Sequence, residues 1–379
     1  MTRSLNILYS LVFIGLMLAL SLASVPALLS FSTASETTVL NGKLAHAIEK
    51  HYDKNFPVKE FGTNAWAALD YSLFGEGRPG VVVGTGDWLF TDEEFKPASN
   101  PKQLQDNWAL IGAVQQEFKR RNIELVLALL PAKARLYPEQ FGEDKPVAAQ
   151  QELYARVHQL MQAQQVAGPD LLPALQQAKR QEPVFLRTDT HWTPYGAEVV
   201  ARSLATYLSA QPGWAPGSQQ FVTETAASQP HKGDLLSFLP LDPYFSGLQP
   251  PAETLQPRST EVQEASGEES GDLFGSEQPQ LALVGTSYSA NPKWNFAGAL
   301  KQALGSDLLN YAEDGHGPLV PMLRLLSKGQ AETAGLRFVV WEVPERYLMM
   351  PSDLSGFDRA WLDRLRASEQ LAATDALKM

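Results

Sequence analysis

Asp189 and His191 stand two residues apart in "FLRTDTHWTPYGA", and Ser287 follows an apolar run in "LALVGTSYSA". A serine hydroxyl becomes a competent nucleophile when a base takes its proton, and the base works best when a carboxylate fixes its tautomer. These are the residue types of such a relay. In extended backbone, side chains at i and i+2 project to one side, so Asp189 and His191 can converge on one spot. Ser287 lies in Gly285-Thr286-Ser287, where a strand-like run, Leu281 to Val284, gives way to a helical pattern. A turn of that kind exposes a hydroxyl above the C-terminal edge of a parallel sheet, where open α/β sheets place their ligands. Each stretch alone also reads as an ordinary helix entry or cap. Taken together they point to acyl transfer or ester hydrolysis.

The other histidines offer less. His46, His51 and His158 fall on helical patterns, and His231 falls in a region without periodicity. His316, in "EDGHGP", is the rival base, but no carboxylate is spaced to orient it as well. The sequence contains neither H-x-x-x-H nor H-E-x-x-H, so no metal site is expected. With no cysteine at all, disulfides, thiolate ligands and a cysteine nucleophile are excluded.

The elements that must position these residues alternate. A helical pattern from Thr37 to Leu73 precedes a predicted hairpin, Val81 to Val83 and a second strand ending near Phe90. A helix with Asn100 as its N-cap leads to the strand "IELVLALLP" and the segment "AKARLYPE". Helix "AAQQELYARVHQLMQAQQ", strand "VFLRT" and helix "PYGAEVVARSLATYLSAQ" follow. From about residue 209 to 280 the rhythm breaks into Pro, Gly, Ser and Glu, which reads as an irregular surface insertion. Strand "LALVG", helix "NPKWNFAGALKQAL", strand "DLLNYA", helix "GPLVPMLRLLSKG" and strand "LRFVVWEVP" then restore it. The expected fold is α/β, a parallel sheet with helices on both faces.

Before that body, residues 1–35 carry Arg3 and then no charge until Glu36, with a near-continuous apolar run from Ile7 to Leu22. This is either a signal peptide, cleaved near "VPA" or "STA", or an uncleaved membrane anchor. Both leave Arg3 in the cytoplasm and export residues 36–379 as one domain. The formal charge of −11 gives no field to gather nucleic acid, so an anionic ligand would need a local basic cluster.

"TDTHWTPYGA", "GTSYS" and "GVVVGTGDWLF" resemble the AlgJ/AlgX family of alginate O-acetyltransferases, whose catalytic domain is SGNH-hydrolase-like. "LPAKARLYPE", "LNYAEDGHGP" and "WEVPERYL" look like further blocks of that family, in its order, from roughly Leu40 to Leu348. Single-domain length, without a carbohydrate-binding module after the catalytic domain, looks more like the AlgJ branch. The resemblance implies a catalytic triad of Asp189, His191 and Ser287 in permuted order, the acid–base pair preceding the nucleophile. Asp and His are one residue closer here than in the usual D-x-x-H block. It also implies an oxyanion donor from Gly315 or Gly317 beside the N–H of Ser287 or Tyr288. Arg346 is assigned to a substrate carboxylate or to local stabilisation.

The implied activity is acetyl transfer in the periplasm, at the inner membrane, onto mannuronate residues of alginate, an anionic polysaccharide. Ser287 would carry the acetyl group, with no cofactor and no acetyl-CoA site. The acetyl group would come through a membrane-bound O-acyltransferase partner, beside other acetylation and export proteins. Lys133, Arg135, Arg187 and Arg346 lie near predicted strand ends and could gather polyuronate, although surface charge is an equal reading of the first two. Trp192 or Trp294 could stack on a sugar, against core packing as the commoner fate of tryptophan. An acetylesterase, an acetyltransferase for another exopolysaccharide such as cellulose, and a non-catalytic polymer-binding subunit of an export complex remain alternatives.

Overall fold

The computed structural model describes residues 3–32, 41–141, 144–263 and 279–376. They divide into two compact units, one running up to Arg78 and taking in Ser237–Gln249, the other holding Pro79–Leu236 and Pro250 onward.

In the first unit, helix α1 (Arg3–Leu29) has 27 residues and continues through Pro26. At 1.5 Å per residue it is about 40 Å long, enough to cross a bilayer. The helical pattern between Thr37 and Leu73 becomes two helices, α2 (Lys43–Asn55) and α3 (Lys59–Phe74). The cause is Pro57, which forces the preceding Phe56 into extended backbone. The His51 ring nitrogen Nε2 lies 3.1 Å from the Ala27 carbonyl and 2.9 Å from the Ser30 hydroxyl, tying α2 to the end of α1. Of the two expected cleavage sequences, "VPA" lies inside α1, and "STA" extends outside the described residues.

The second unit opens with an antiparallel hairpin, β1 (Val81–Val83) and β2 (Leu89–Thr91). Helix α4 (Gln103–Arg120), strand β3 (Glu124–Leu130), a turn of helix α5 (Lys133–Leu136), and helices α6 (Ala148–Ala163), α7 (Leu172–Ala178) and α8 (Pro194–Ser209) come next. After the insertion come β8 (Leu281–Val284), α9 (Ser287–Ala290), α10 (Phe296–Leu304), β9 (Leu309–Asn310), α11 (Leu319–Ser327), β10 (Phe338–Pro344) and α12 (Arg359–Ala376). The insertion itself supplies β4 (Phe221–Thr225), β5 (Gln229–His231), β6 (Glu253–Leu255) and β7 (Arg258–Val262).

Strands β3, β10, β8 and β9 form the main sheet in that order, and every neighbouring pair is parallel. Their alternate residues feed two cores. Val126, Ala128, Leu283 and Val340 pack with Ala197, Val200 and Leu204 of α8 and Leu300 of α10. Leu125, Leu127, Val284 and Trp341 pack on the other face with Ile111 and Val114 of α4, Leu153 of α6 and Leu323 of α11. A strand buried on both faces takes apolar residues at nearly every position, which is why β3, β8 and β10 read as near-continuous apolar runs.

Two expectations change. Part of the insertion is ordered into antiparallel ribbons, β4 with β7 and β5 with β6; residues 264–278 lie outside the described residues. "VFLRT" is not a strand, because its backbone donors are taken elsewhere. The Tyr137 hydroxyl accepts the N–H groups of Val184 and Phe185, Leu186 N–H goes to the carbonyl of His191, and the Glu253 carboxylate accepts those of Arg187 and Thr188. The segment folds back on itself, and Thr193 N–H closes it on the Val184 carbonyl at 3.0 Å.

Candidate active site

The serine turn is built from beneath. Strand β8 ends at Val284, and Gly285 follows because a Cβ there would stand 2.4 Å from Oε2 of Glu342. Glu342 lies inside β10 and is buried. Its carboxylate accepts the Thr286 N–H at 2.8 Å, the Thr286 hydroxyl at 3.0 Å and the Ser289 hydroxyl at 3.1 Å. Burial pushes the Glu342 carboxyl above its ordinary value, and these donors pull the other way. Thr286 also caps α9, accepting the N–H of Tyr288, so Ser287 is the first residue of that short helix.

His191 meets this serine from the folded-back loop. Its Nε2 lies 2.7 Å from the Ser287 hydroxyl, and its Nδ1 lies 2.7 Å from Oδ1 of Asp189. Asp189 is 3% exposed. Burial alone would raise its carboxyl, yet the hydrogen bonds from His191 and then His231 hold it well below the ordinary carboxylate range. The His191 ring is stacked on Trp294, with centroids 5.0 Å apart and planes at 22°, and tilted against Tyr288 at 4.7 Å. Serine, imidazole and carboxylate thus form one continuous hydrogen-bonded line, with the histidine ring held between two aromatics.

The insertion closes around the acid. The His231 ring reaches Oδ2 of Asp189 at 2.9 Å, and the Asp234 N–H reaches the same oxygen at 3.1 Å. Asp234 accepts the Thr190 N–H at 2.8 Å. Burial and the nearby Asp189 charge raise the Asp234 carboxyl. Glu253 takes the backbone N–H of Arg187 and Thr188 and the Thr188 hydroxyl. Gly233 is required where it stands, since a Cβ would fall 2.1 Å from the Thr188 carbonyl oxygen.

Lys133 lies on the other side of the loop, 1% exposed, with its ammonium donating to the carbonyls of Leu89, Arg187 and Asp189. Burial, opposed by Glu94 and other acids, brings its pKa down to about 8. This fully used ammonium is a tie between β2 and the loop, in place of the expected surface cation. Arg346 is likewise buried. Its guanidinium pairs with Glu93 at 2.9 Å and donates to the Tyr288 hydroxyl at 3.2 Å, so it braces the ring behind the site and does not face solvent. Arg135 is paired with Glu345 at 2.9 Å.

Trp192 is fully buried between Tyr288 and Phe296, and Trp294 is buried against His191; core packing claims both tryptophans. Arg187 is half-buried and lines a cavity of about 610 Å³ with Trp88, Tyr195, Glu253 and Arg258. Gly315 and Gly317 take left-handed backbone in a recess of about 600 Å³ that they share with His316, Arg324 and Tyr347. Tyr288 gives its N–H to Thr286 at 3.4 Å and its hydroxyl to the Thr190 carbonyl at 2.6 Å.

His231, Asp234, Glu253 and Glu342 join the site without having been among the residues expected there. Only Glu342 left a signal, a carboxylate in the middle of the buried run "FVVWEVP". The other three lie in a region whose lack of periodicity hid its contacts.

Residues 81–345 match the family described as SGNH hydrolase-like domain, acetyltransferase AlgX. A protein of Azotobacter vinelandii named "Probable alginate O-acetylase AlgJ" is 54% identical over 369 residues, covering 97% of this chain and 95% of its own. Its namesake in Pseudomonas aeruginosa is 55% identical over 386 residues and 98% of each chain. The solved O-acetyltransferase domain of Pseudomonas putida AlgJ superposes with a TM-score of 0.69 at 49% identity, over 77% of this chain and 100% of that one. Pseudomonas aeruginosa AlgX gives a TM-score of 0.56 at 25% identity, over 71% and 66%. A permuted serine site on a parallel sheet and relatives matched nearly end to end lead to one assignment: the chain belongs to the AlgX-type SGNH hydrolase-like acetyltransferase family.

Proposed function

We propose that this protein is a periplasmic O-acetyltransferase that moves acetyl groups onto hydroxyls of mannuronate residues in alginate through an acetyl-serine intermediate. The observation that carries the reading is the unbroken line Ser287–His191–Asp189, with both hydrogen bonds at 2.7 Å, in a chain similar along its length to proteins named alginate O-acetylases.

Ser287 Oγ attacks the carbonyl carbon of an acetyl ester as His191 Nε2 takes its proton, and the imidazolium that forms is stabilised by Asp189. The leaving alcohol departs with that proton. A sugar hydroxyl then attacks the acetyl-serine, His191 accepts its proton, and collapse of the intermediate returns the proton to Ser287 and releases the acetylated sugar. The Ser287 N–H, which as a first-turn donor has no partner within α9, is our assignment for one oxyanion contact.

Helix α1 supports residence at the inner membrane with the second unit on the periplasmic side. A membrane-bound O-acyltransferase partner would deliver acetyl groups there. The deciding experiment supplies a chromogenic acetyl ester with and without mannuronate oligomers. Acetylated oligomer forms with the native protein and not with Ser287→Ala; ester turnover indifferent to the sugar, with no acetylated product, would leave an esterase.

A further inference from the structure

Asp189 serves two histidines. Its Oδ1 faces His191 Nδ1 at 2.7 Å, and its Oδ2 faces His231 Nε2 at 2.9 Å. Both oxygens of Asp189 also accept backbone N–H groups, from His191 at 3.0 Å and from Asp234 at 3.1 Å, as an ionised carboxylate does, so the hydrogen in the second contact belongs to His231 Nε2. His231 is 7% exposed and lies edge-on to Trp294, the ring that stacks on His191. One tryptophan therefore packs both imidazoles, and one carboxylate bonds both.

The backbone that carries His231 is anchored to the same loop. Strand β5 pairs with β6 so that His231 lies opposite Glu253, the residue that accepts the N–H groups of Arg187 and Thr188. Just beyond β5, Asp234 N–H donates to Asp189 Oδ2 and Leu235 N–H donates to the Thr188 carbonyl. The ribbon thus grips the backbone of the loop through Glu253 and its acid through His231.

We propose that His231 is a positioning residue for acetyl transfer, holding the outer oxygen of Asp189 so that the inner one stays aligned with His191 and the relay works as a tetrad. This rests on the serine mechanism above. The charged groups around Asp189 and His231 are His191, Asp234, Glu253 on the paired strand and Lys133, whose ammonium is 3.0 Å from the Asp189 carbonyl. Without the His231 donor, more negative charge stays on the oxygen facing His191. His191 then holds a proton more tightly, and the acid limb of kcat/KM moves to higher pH.

The test uses the full-length protein in detergent, a chromogenic acetyl ester, and the variants His231→Ala, His231→Gln and Ser287→Ala. His231→Ala is expected to lower kcat by about tenfold or more, short of the roughly 10⁴-fold seen when the acid of a triad is altered. Its KM stays near native and its acid limb rises. His231→Gln, whose amide can reach the same oxygen, recovers most of kcat and returns the limb toward its native position. Native kcat and limb in His231→Ala would overturn the inference. So would a glutamine variant as slow as the alanine one with its melting temperature intact. Ser287→Ala loses turnover; turnover persisting there would overturn the serine mechanism itself, independently of His231.

Discussion

The ammonium of Lys133 lies 3.0 Å from the carbonyl oxygen of Asp189, and the same nitrogen serves the carbonyls of Leu89 and Arg187. A cation inside the protein has become the fastening between the hairpin and the loop that carries the acid and the base. Lys133→Met fills the volume and takes this donor from the Leu89 and Asp189 carbonyls, while Arg187 O keeps the Leu89 N–H at 3.0 Å, at about 1–3 kcal/mol for each oxygen left unpaired and buried. Urea unfolding should show a loss of at least about 2 kcal/mol, with kcat falling as well. A methionine variant with native stability and native kcat would refute this role.

Asp189 gives a pH signature. Its carboxyl is held below the ordinary value of 3.8 in the folded chain, so the unfolded chain binds a proton more readily as pH falls. The stabilisation is complete above about pH 4–5 and is lost as pH drops toward the folded value. Asp189→Asn should therefore be less stable than the native protein at pH 7, and the gap should narrow below about pH 4. Denaturant curves at the two pH values measure it; a gap that widened in acid would contradict the assignment.

Gly285→Ala should slow the acetyl-enzyme step. The new Cβ would fall 2.4 Å from Glu342 Oε2, a carboxylate already tied to Thr286 and Ser289, so the turn must move. Overpacking of this kind costs about 1–3 kcal/mol. A burst assay with a chromogenic ester should show a slower first turnover, and a burst of native rate would mean that the turn tolerates the shift.

Arg346→Met separates support from substrate binding. The arginine is 5% exposed and bonded to Glu93 and the Tyr288 hydroxyl, so its loss should lower the melting temperature. KM for mannuronate oligomers should stay within about twofold, because a buried brace offers the polymer no charge. A large rise in KM at unchanged melting temperature would restore the substrate-binding role.

Much of this arrangement could be read in the sequence because the residues concerned obey local rules. The runs 281–284 and 338–344 are apolar but for Glu342 because both faces of their strands are covered. The i, i+2 spacing of Asp189 and His191 does bring them into contact, though on a folded-back loop held by Tyr137 and Glu253 and not on a strand. Nothing local announces that Glu253 will occupy the N–H groups a strand would have used. His231 depends likewise on a ribbon that pairs across an aperiodic insertion. The lysine and tryptophans near the site were visible as residue types, but whether such side chains face solvent or core is decided by what packs over them.

The first strand of the main sheet, β3, has its partner in the last, β10, and β8 with its serine turn joins the far side of β10. A chain emerging from its N-terminus therefore carries β3 with only a short bridge to Ala167 and without its sheet partner until residues 338–344 arrive, and pairing over such a separation is slow. Chains stopped before β10 would lack both the strand that joins β3 to β8 and Glu342 under the nucleophile. Assembly of the sheet and competence of the site arrive together, late in synthesis, so fragments released early would carry a serine turn without the carboxylate that holds it from beneath.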